Sequence, residues 1–403
     1  MSYFYAPSPE LQLIAACCRW PDDNARQQAI KRALTHALDL GTSFDWELVL
    51  KVVDRHRVAG LAHHGLSRHK SQIPASTLAQ LEGRAIAQSL SSLQLAGLSK
   101  QLVSKLNESG IEAMVVKGTP LAQLAYGNIA LRHSKDCDLA IDFKDMEQAV
   151  AVIEAAGYRR RFPATQYTLA ELAPILASLK DFEYYHPATG VQVELQWRMT
   201  RSPYQWNHPW LVGEAQSVKI APQVTLPTLP DSYHLLYLCL HAGVHVWFRL
   251  KWLADIEALL NQQGVDARAK LLAQAYEHGL ERVVGAGLTL GSLIFGAPET
   301  PRPKPADWAE RALVRQAMKS ITAGRGGAEP EDVRFGTTRM SISQYLLRSD
   351  WRYLRDQFLI DLAGMEPDSA IEPIWKQAML RGPRWGWRRM RHGGRKRAQT
   401  PKA

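Results

Sequence analysis

Two aspartates in one short apolar stretch are the residues of this sequence best suited to chemistry. They lie in the stretch Asp136–Ile141, which has the sequence DCDLAI. Side chains on a β-strand alternate between its faces, so Asp136 and Asp138 are expected on one face and Cys137 on the other. Two carboxylates held this close repel each other unless a cation lies between them. Mg²⁺ prefers carboxylate oxygens and substrate phosphates, so the pattern predicts a phosphate-handling magnesium site.

A candidate phosphate-binding turn precedes the aspartates. Residues 111–116 predict a strand, and Lys117, Gly118, Thr119 and Pro120 follow it. Thr119 is a suitable helix cap, and Pro120 suits the first helical position. The free N–H groups and the positive dipole end of such a helix favour an anion. Lys117, Gly118 and Thr119 are therefore predicted to bind phosphate.

A third carboxylate and an arginine complete the predicted site. Glu194 lies on the polar face of a later predicted strand, and Arg132 lies just before the aspartates. Three carboxylates beside a phosphate-binding turn suggest a two-metal site for in-line attack at phosphorus. Asp136 and Asp138 would bind Mg²⁺, and Glu194 would bind the second ion and help to deprotonate the attacking hydroxyl. Lys117 and Arg132 would neutralise the triphosphate.

Each of these patterns also has an ordinary structural explanation. An Asp-x-Asp pair occurs on solvated strands and in turns, and Lys-Gly at a strand end is commonly just a turn. Their order, their spacing and their placement on predicted strands and helices favour the catalytic interpretation when they are taken together.

The surrounding elements indicate how these residues are held. Residues 1–97 have helical periodicity, and residues 98–221 alternate strands with helices before ending in a hairpin. A proline-rich link at 222–230 opens a helical region over 222–375, and 376–403 form a basic tail that is expected to be disordered. The predicted fold class is α+β, with a mixed sheet and its helices flanked by N- and C-terminal helical regions.

Two histidines and an arginine are candidates for an acceptor cleft. Residues 231–260 predict one long helix, on which His241 and His245 are four residues apart and Arg249 follows. That spacing also suits a metal site, but no third zinc-type ligand is nearby in the sequence. The three residues are therefore predicted to line the cleft for the acceptor or to pack against the core.

Composition and charge limit the class of protein. The 403 residues are 46% hydrophobic and 22% charged, and the four cysteines form no Cys-x-x-Cys pair, which fits a reducing cytoplasm. No signal peptide and no apolar run of about 18 residues is found, so a cytoplasmic location is expected. The net charge of +10 resides in residues 376–403, which contain ten basic and no acidic residues.

The basic tail also interleaves arginine with tryptophan, as in Arg384-Trp385-Gly386-Trp387-Arg388. Such a stretch can bind nucleic acid through phosphate contacts and base stacking, or lie on an anionic membrane surface. It can equally serve only to keep the protein in solution. The sequence leaves these three possibilities open.

Several short matches to a known family follow one another in order. They are Lys117-Gly118, Leu121-Ala122, Tyr126, Leu131-Arg132, Asp136-Cys137-Asp138-Leu139, Val193-Glu194-Leu195-Gln196-Trp197, His241-Ala242-Gly243-Val244-His245, Trp247, Arg249-Leu250, Trp252-Leu253 and Asp255. Together they resemble the uncharacterised bacterial nucleotidyltransferase family of the DNA polymerase β superfamily. The resemblance implies a polymerase β-like core, dependence on Mg²⁺ and a nucleoside triphosphate donor, with ATP expected.

Two positions depart from the family's pattern. The usual Gly-Ser is Gly118-Thr119, which keeps a hydroxyl, and the histidine before Trp197 is replaced by Gln196. The first hypothesis is a nucleotidyltransferase that moves a nucleoside monophosphate to a hydroxyl of a small molecule or sugar, a protein or an RNA. Gln196 favours an alternative, a nucleotide-binding sensor or scaffold. In a third hypothesis, the nucleotidyltransferase-like core is only structural and the basic tail at 376–403 carries the function. The oligomeric state is left open.

Overall fold

The computed structural model describes residues 6–165, 167–176, 179–206 and 212–363, and the tail at 376–403 lies outside these ranges. Nucleic acid or an anionic membrane as the partner of the tail therefore stays a prediction. Within the described ranges, a five-stranded mixed sheet is preceded and followed by helices, which confirms the predicted α+β class. No helix in these ranges has the length and apolar character needed to cross a membrane.

Five helices precede the sheet. They are α1 (Pro9–Cys17), α2 (Asn24–Leu40), α3 (Trp46–His56), α4 (Ala59–Leu66) and α5 (Ala75–Glu108). The first three begin after Ser8, Asp23 and Asp45, whose side-chain oxygens accept hydrogen bonds from backbone N–H groups of the first turn. Helix α5 continues unbroken through Gly97, across the boundary that the sequence suggests between residues 97 and 98. A glycine inside a helix costs only about 1 kcal/mol, which packing elsewhere along the helix offsets.

The central sheet has the strand order β1-β2-β5-β4-β3. Its strands are β1 (Ala113–Val115), β2 (Asp136–Ile141), β3 (Arg159–Phe162), β4 (Asp181–Tyr185) and β5 (Gln192–Gln196). The helices between them are α6 (Thr119–Tyr126), α7 (Met146–Ala155) and α8 (Leu169–Leu176). Strands β2 and β5 run parallel, while the other neighbouring pairs of this sheet are antiparallel. The strands that carry the predicted carboxylates are therefore direct neighbours.

Two strand regions differ from the prediction. The segment predicted as a proline-rich link contains β7 (Val224–Thr228), which pairs with β6 (Gln216–Ala221) in a two-stranded sheet. Pro227 is tolerated because both strands of such a sheet are edges. Strand β3 was not expected from its sequence, since it begins with three consecutive arginines; pairing with β4 holds it in place.

Seven helices follow in the described part of the chain. They are α9 (Asp231–Val244), α10 (Leu250–Gln262), α11 (Ala267–His278), α12 (Glu281–Phe295), α13 (Trp308–Ile321), α14 (Gly336–Gln344) and α15 (Trp351–Ala363). The single helix predicted over 231–260 is wrong, because it breaks between α9 and α10. Val246 and Trp247 have φ values of 55° and 44°, which residues other than glycine rarely adopt. The Trp247 side chain is fully buried, and the backbone N–H of Trp247 donates to the Ala242 carbonyl at 2.8 Å; together these hold the turn.

The helices before and after the sheet share one hydrophobic core. Leu11 and Leu34 from the first two helices belong to the same buried cluster as Leu313 and Tyr353 near the end of the described chain. Val116, directly after β1, joins that cluster too. The two helical regions that the sequence places apart are thus packed together, while the limits of the predicted domains stay a prediction.

Candidate active site

The two faces of β2 have different environments. Cys137, Leu139 and Ile141 are buried in a second core between the sheet and its helices. Asp136 and Asp138 lie on the opposite face, as the alternation of a strand requires. The predicted separation of the carboxylates from the apolar residues of this strand is confirmed.

The parallel register between β2 and β5 aligns the polar residues of the two strands. Asp138 is paired with Glu194, and Ala140 is paired with Gln196. Because residues two apart share a face, Asp138, Glu194 and Gln196 project from the same side of the sheet. The sequence predicted that Asp138 and Glu194 would be neighbours, and the register brings them together.

The turn between β1 and α6 depends on Gly118. Its φ and ψ are 72° and −131°, a conformation suited to glycine, and it occupies the cap position of α6. Thr119 is therefore the first helical residue and does not cap the helix, which corrects the predicted start by one residue. Its side chain is buried, and its hydroxyl has no hydrogen-bond partner among the described residues.

Replacing Gly118 by alanine should destabilise the fold through backbone strain. Residues held in such sparsely populated conformations cost about 1–3 kcal/mol, so we expect Gly118→Ala to lower the free energy of unfolding by that amount. The matched control is Gly97→Ala in the middle of α5, where a new methyl group meets nothing within 4 Å. That variant should be neutral or gain up to about 1 kcal/mol. Urea unfolding of both proteins measures the difference, and equal stabilities would contradict the assigned backbone conformation.

Lys117 and Asp138 form a buried ion pair at the base of this turn. The Lys117 ammonium lies 3.0 Å from Asp138 Oδ1, and both side chains are largely inaccessible to solvent. Burial opposes the charge on Lys117, but Asp138 and the other nearby acidic groups outweigh it and raise the lysine pKa. Burial also raises the pKa of Asp138 to about 7; Asp136 and Glu194 add to this, while Lys117 opposes it. The site thus concentrates one fixed positive charge among three acidic residues.

Gln196 connects the two carboxylates across the strands. Its Nε2 donates hydrogen bonds to Asp138 Oδ1 at 3.0 Å and to Glu194 Oε2 at 2.9 Å. Its Oε1 is buried and has no hydrogen-bond partner among the described residues. The Lys180 ammonium lies 3.8 Å from Glu194 Oε2 and also contacts Asp181.

Arg132 lies in a different buried network. Its Nε donates to Asp255 Oδ2 at 2.9 Å, and its NH1 donates to Ser134 Oγ at 3.1 Å. The Tyr126 hydroxyl donates to the other oxygen of Asp255 at 3.0 Å. A buried guanidinium requires such partners, so its contacts are those of a structural ion pair. Neutralisation of the triphosphate by Arg132 stays a prediction without support from this arrangement.

His241 and His245 lie close to the carboxylate site, on the end of α9. Their ring centroids are 4.9 Å apart, and the His245 ring stacks on Trp252 at 5.2 Å. Burial first, and then the charge of Lys117, lowers the pKa of both imidazoles, that of His245 to about 4. Both rings are therefore neutral at pH 7, which suits stacking and hydrogen bonding better than charge neutralisation.

Arg249 contacts residues outside the carboxylate site. Its NH2 forms an ion pair with Glu329 Oε1 at 3.0 Å, and its guanidinium lies 4.8 Å from the centre of the Phe248 ring. The Arg249 side chain also donates to the backbone carbonyl of Arg55. These contacts join α10 to α3 and to the segment before α14, so the acceptor role predicted for Arg249 stays untested.

One comparison with known proteins identifies the family. A family model described as an uncharacterised nucleotidyltransferase matches residues 42–296, which is more than half of the chain. The chain belongs to this family. The resemblance drawn from the sequence is thereby confirmed, and membership supports nucleotidyl transfer as the general class of activity. A comparison with curated proteins gives no match.

The carboxylates of this nucleotidyltransferase-family site fit a divalent cation only in part. Carboxylate oxygens are the ligands that Mg²⁺ prefers, and the Asp136 carboxylate has no hydrogen bond or ion pair within the described residues. Glu194 is different, because its Oε2 accepts from Gln196 and lies near Lys180. No group of three His, Cys, Asp or Glu side chains in the described ranges is arranged to hold a metal. Asp136 and Asp138 fit a cation, and the predicted two-ion site with Glu194 stays a prediction.

Three further residues lie beside these carboxylates, and the sequence did not single out the two lysines among them. Lys180 contacts Glu194, and Tyr237 is buried near enough to Lys117 to influence its pKa. Lys251 is also buried; burial, followed by the charge of Arg132, lowers its pKa to about 7. A lysine inside the apolar sequence of α10 was a visible signal for Lys251, but no spacing rule identifies Lys180.

Proposed function

We propose that this chain transfers a nucleoside monophosphate from a nucleoside triphosphate, with ATP as the expected donor, to a hydroxyl group of an acceptor in the presence of Mg²⁺. The acceptor is a small molecule or sugar, a protein or an RNA end. One observation carries the proposal: the Lys117 ammonium lies 3.0 Å from Asp138 Oδ1 where β1 turns into a helix, beside the Asp138–Glu194 strand pair.

The residues around the turn are suited to bind the triphosphate. The N-terminus of α6 presents backbone N–H groups at Gly118 and Thr119, and an anion is stabilised at such a helix end. Lys117 keeps its charge because its pKa is raised, and Lys180 adds a second ammonium near Glu194. These groups would offset the negative charge of the phosphates and of the leaving pyrophosphate.

The reaction is a displacement at the α-phosphorus. The acceptor oxygen forms a bond to the α-phosphorus while the bond to the bridging oxygen of pyrophosphate breaks, and the electron pair of that bond leaves with pyrophosphate. Asp136 and Asp138 would hold the divalent cation, which supplies charge stabilisation at the phosphate oxygens when it is bound. Glu194, with a side chain that is 29% exposed, would accept the hydroxyl proton.

The rings at the end of α9 and the start of α10 would form a wall for the substrates. His241 and His245 are half-buried, and the pairs His245–Trp252 and Phe248–Trp252 have centroids 5.2 and 5.0 Å apart. Neutral aromatic rings of this kind stack readily on bases and sugars. Burial, and after it the charge of Lys117, lowers the pKa of both histidines, so their rings lie near this lysine. Their nearness supports placing the acceptor cleft on this side of the carboxylates.

A second candidate function is a nucleotide sensor or scaffold. It is favoured by the hydrogen bonds of Gln196, which already engage one oxygen of Asp138 and one oxygen of Glu194. In that case the site would bind a nucleoside triphosphate without releasing pyrophosphate.

The test is pyrophosphate release by the purified full chain. It is incubated with each α-labelled nucleoside triphosphate and Mg²⁺, with RNA, protein and sugar acceptors. We expect label transfer together with pyrophosphate release, both stopped by EDTA, and binding without release for an α,β-methylene analogue of the preferred nucleotide. If the protein binds the natural nucleotide tightly but releases no pyrophosphate with any acceptor, the result would contradict the enzyme and favour the nucleotide sensor.

A further inference from the structure

The amide of Gln196 lies between two carboxylates of the candidate site. Its single nitrogen donates to one oxygen of Asp138 and one oxygen of Glu194, at 3.0 and 2.9 Å. Hydrogen bonds to ionised acceptors are about twice as strong as those between neutral groups. The amide nitrogen therefore holds together two carboxylates that would otherwise repel each other.

Two ammonium groups already lie beside the two carboxylates that this amide contacts. The Lys117 ammonium lies 3.0 Å from the same Oδ1 atom of Asp138, and the Lys180 ammonium lies 3.8 Å from the same Oε2 atom of Glu194. Each carboxylate thus has one ammonium and one amide hydrogen nearby. This arrangement stabilises the protein when no divalent cation is bound.

The other end of the same amide is unsatisfied. Gln196 is 1% exposed, and its Oε1 has no hydrogen-bond partner in the described ranges. A buried acceptor without a partner is unfavourable. A half-turn about the last side-chain torsion, which has a broad energy profile, exchanges Oε1 and Nε2. That turn would direct Oε1 at Asp138 and Glu194, which is favourable only when a positive charge replaces the amide hydrogens there.

We propose that Gln196 is a positioning residue that competes with the divalent cation: its amide nitrogen holds Asp138 and Glu194 in the cation-free protein and releases both when the cation binds. The inference rests on the proposed function, since it requires a cation at Asp138. It adds that cation binding and the rotation of one amide are coupled.

Side-chain amide NMR of the wild-type protein tests the rotation directly. The Nε2 hydrogens of Gln196 are assigned as the signal that disappears in Gln196→Met. In the cation-free protein this signal should be shifted by its two carboxylate partners and exchange slowly with water. Saturating Mg²⁺ should move it and speed its exchange. A signal that is unchanged at saturating Mg²⁺ would overturn the proposal.

Affinity for Mn²⁺ alone, measured by titration with electron paramagnetic resonance, gives a second readout. We expect Gln196→Met to bind Mn²⁺ about tenfold more tightly than wild type, because the competing donor is gone, and to show a larger rise in melting temperature with Mn²⁺. Gln148→Met, at an exposed hydrogen bond on α7, is the control and should match wild type.

The outcomes separate this inference from the function on which it rests. Equal or weaker Mn²⁺ binding by Gln196→Met, with wild type binding Mn²⁺ through Asp138, would overturn the competition and leave the cation site intact. If the wild-type protein binds no Mn²⁺, or if Asp138→Asn binds Mn²⁺ as tightly as wild type, both the competition by Gln196 and the proposed cation site would be overturned.

Discussion

Asp138→Asn should reduce nucleotidyl transfer by about 10³-fold or more. Asp138 contributes to the proposed cation site and is the acceptor for both Lys117 and Gln196. A metal ion contributes several kcal/mol of charge stabilisation in the transition state, and each ~1.4 kcal/mol corresponds to a tenfold change in rate. Asparagine keeps the shape of the side chain but removes the charge. The measurement is the rate of pyrophosphate release at saturating nucleotide and Mg²⁺.

Asp142→Asn is the matched control for this variant. Asp142 follows β2 directly, its side chain is 45% exposed, and its ion pair with Lys144 lies on the surface. Surface pairs of this kind contribute about 0–1 kcal/mol, so activity and stability should stay close to wild type. A folded Asp138→Asn protein that retains a tenth or more of the wild-type rate would show that the reaction does not depend on this carboxylate. Thermal melting of both variants separates lost chemistry from lost folding.

Removing one partner of the Arg132–Asp255 pair should destabilise the fold strongly. Arg132 is 5% exposed and Asp255 is 1% exposed, and their side chains approach to 2.9 Å. Truncating one member of a buried pair leaves an uncompensated charge and costs about 3–5 kcal/mol. We therefore expect Arg132→Met to lower the free energy of unfolding by that amount, measured with urea. Arg84→Met, at the exposed pair with Asp54, should change it by about 0–1 kcal/mol.

The double variant Arg132→Met/Asp255→Leu decides what Arg132 does. It leaves neither charge buried alone, so most of the lost stability should return. If Arg132 acts only as a structural partner, this protein should bind the nucleoside triphosphate as wild type does. A tenfold weaker affinity for the nucleoside triphosphate, which is about 1.4 kcal/mol, would show that the guanidinium contributes to binding the phosphates. Equal destabilisation by the single and double variants would contradict the buried-pair explanation.

The parts of the site that follow strand periodicity could be predicted from the sequence. Alternation alone places Asp136 and Asp138 on the face opposite Cys137. The apolar and polar pattern of β5 likewise puts Glu194 on its polar face. These features depend on short-range geometry, which the order of residues determines directly.

Features that depend on tertiary packing were beyond the sequence. Nothing in the spacing of Gln196 shows that its nitrogen contacts both carboxylates, because that contact needs the parallel register of β2 and β5. Arg132 matches the family pattern, yet its buried partner Asp255 is 123 residues away. The break between α9 and α10 is also tertiary, since a buried Trp247 holds a backbone conformation that local preference disfavours.

The core shared by the first and last helices has a consequence for how the protein is made. Leu11 in α1 is buried with Leu313 and Tyr353, and the Ser8 hydroxyl donates to the Arg325 carbonyl at 2.8 Å. A ribosome extends the chain from its N-terminus, so α1 can pack on α2, α3 and α4 early, but its contacts with α12 and with Ala323–Gly326 must wait until those segments are made. The sheet meanwhile can pair its strands. The side of α1 that faces these late segments therefore stays uncovered while the sheet forms, and the core at the start of the chain is completed last.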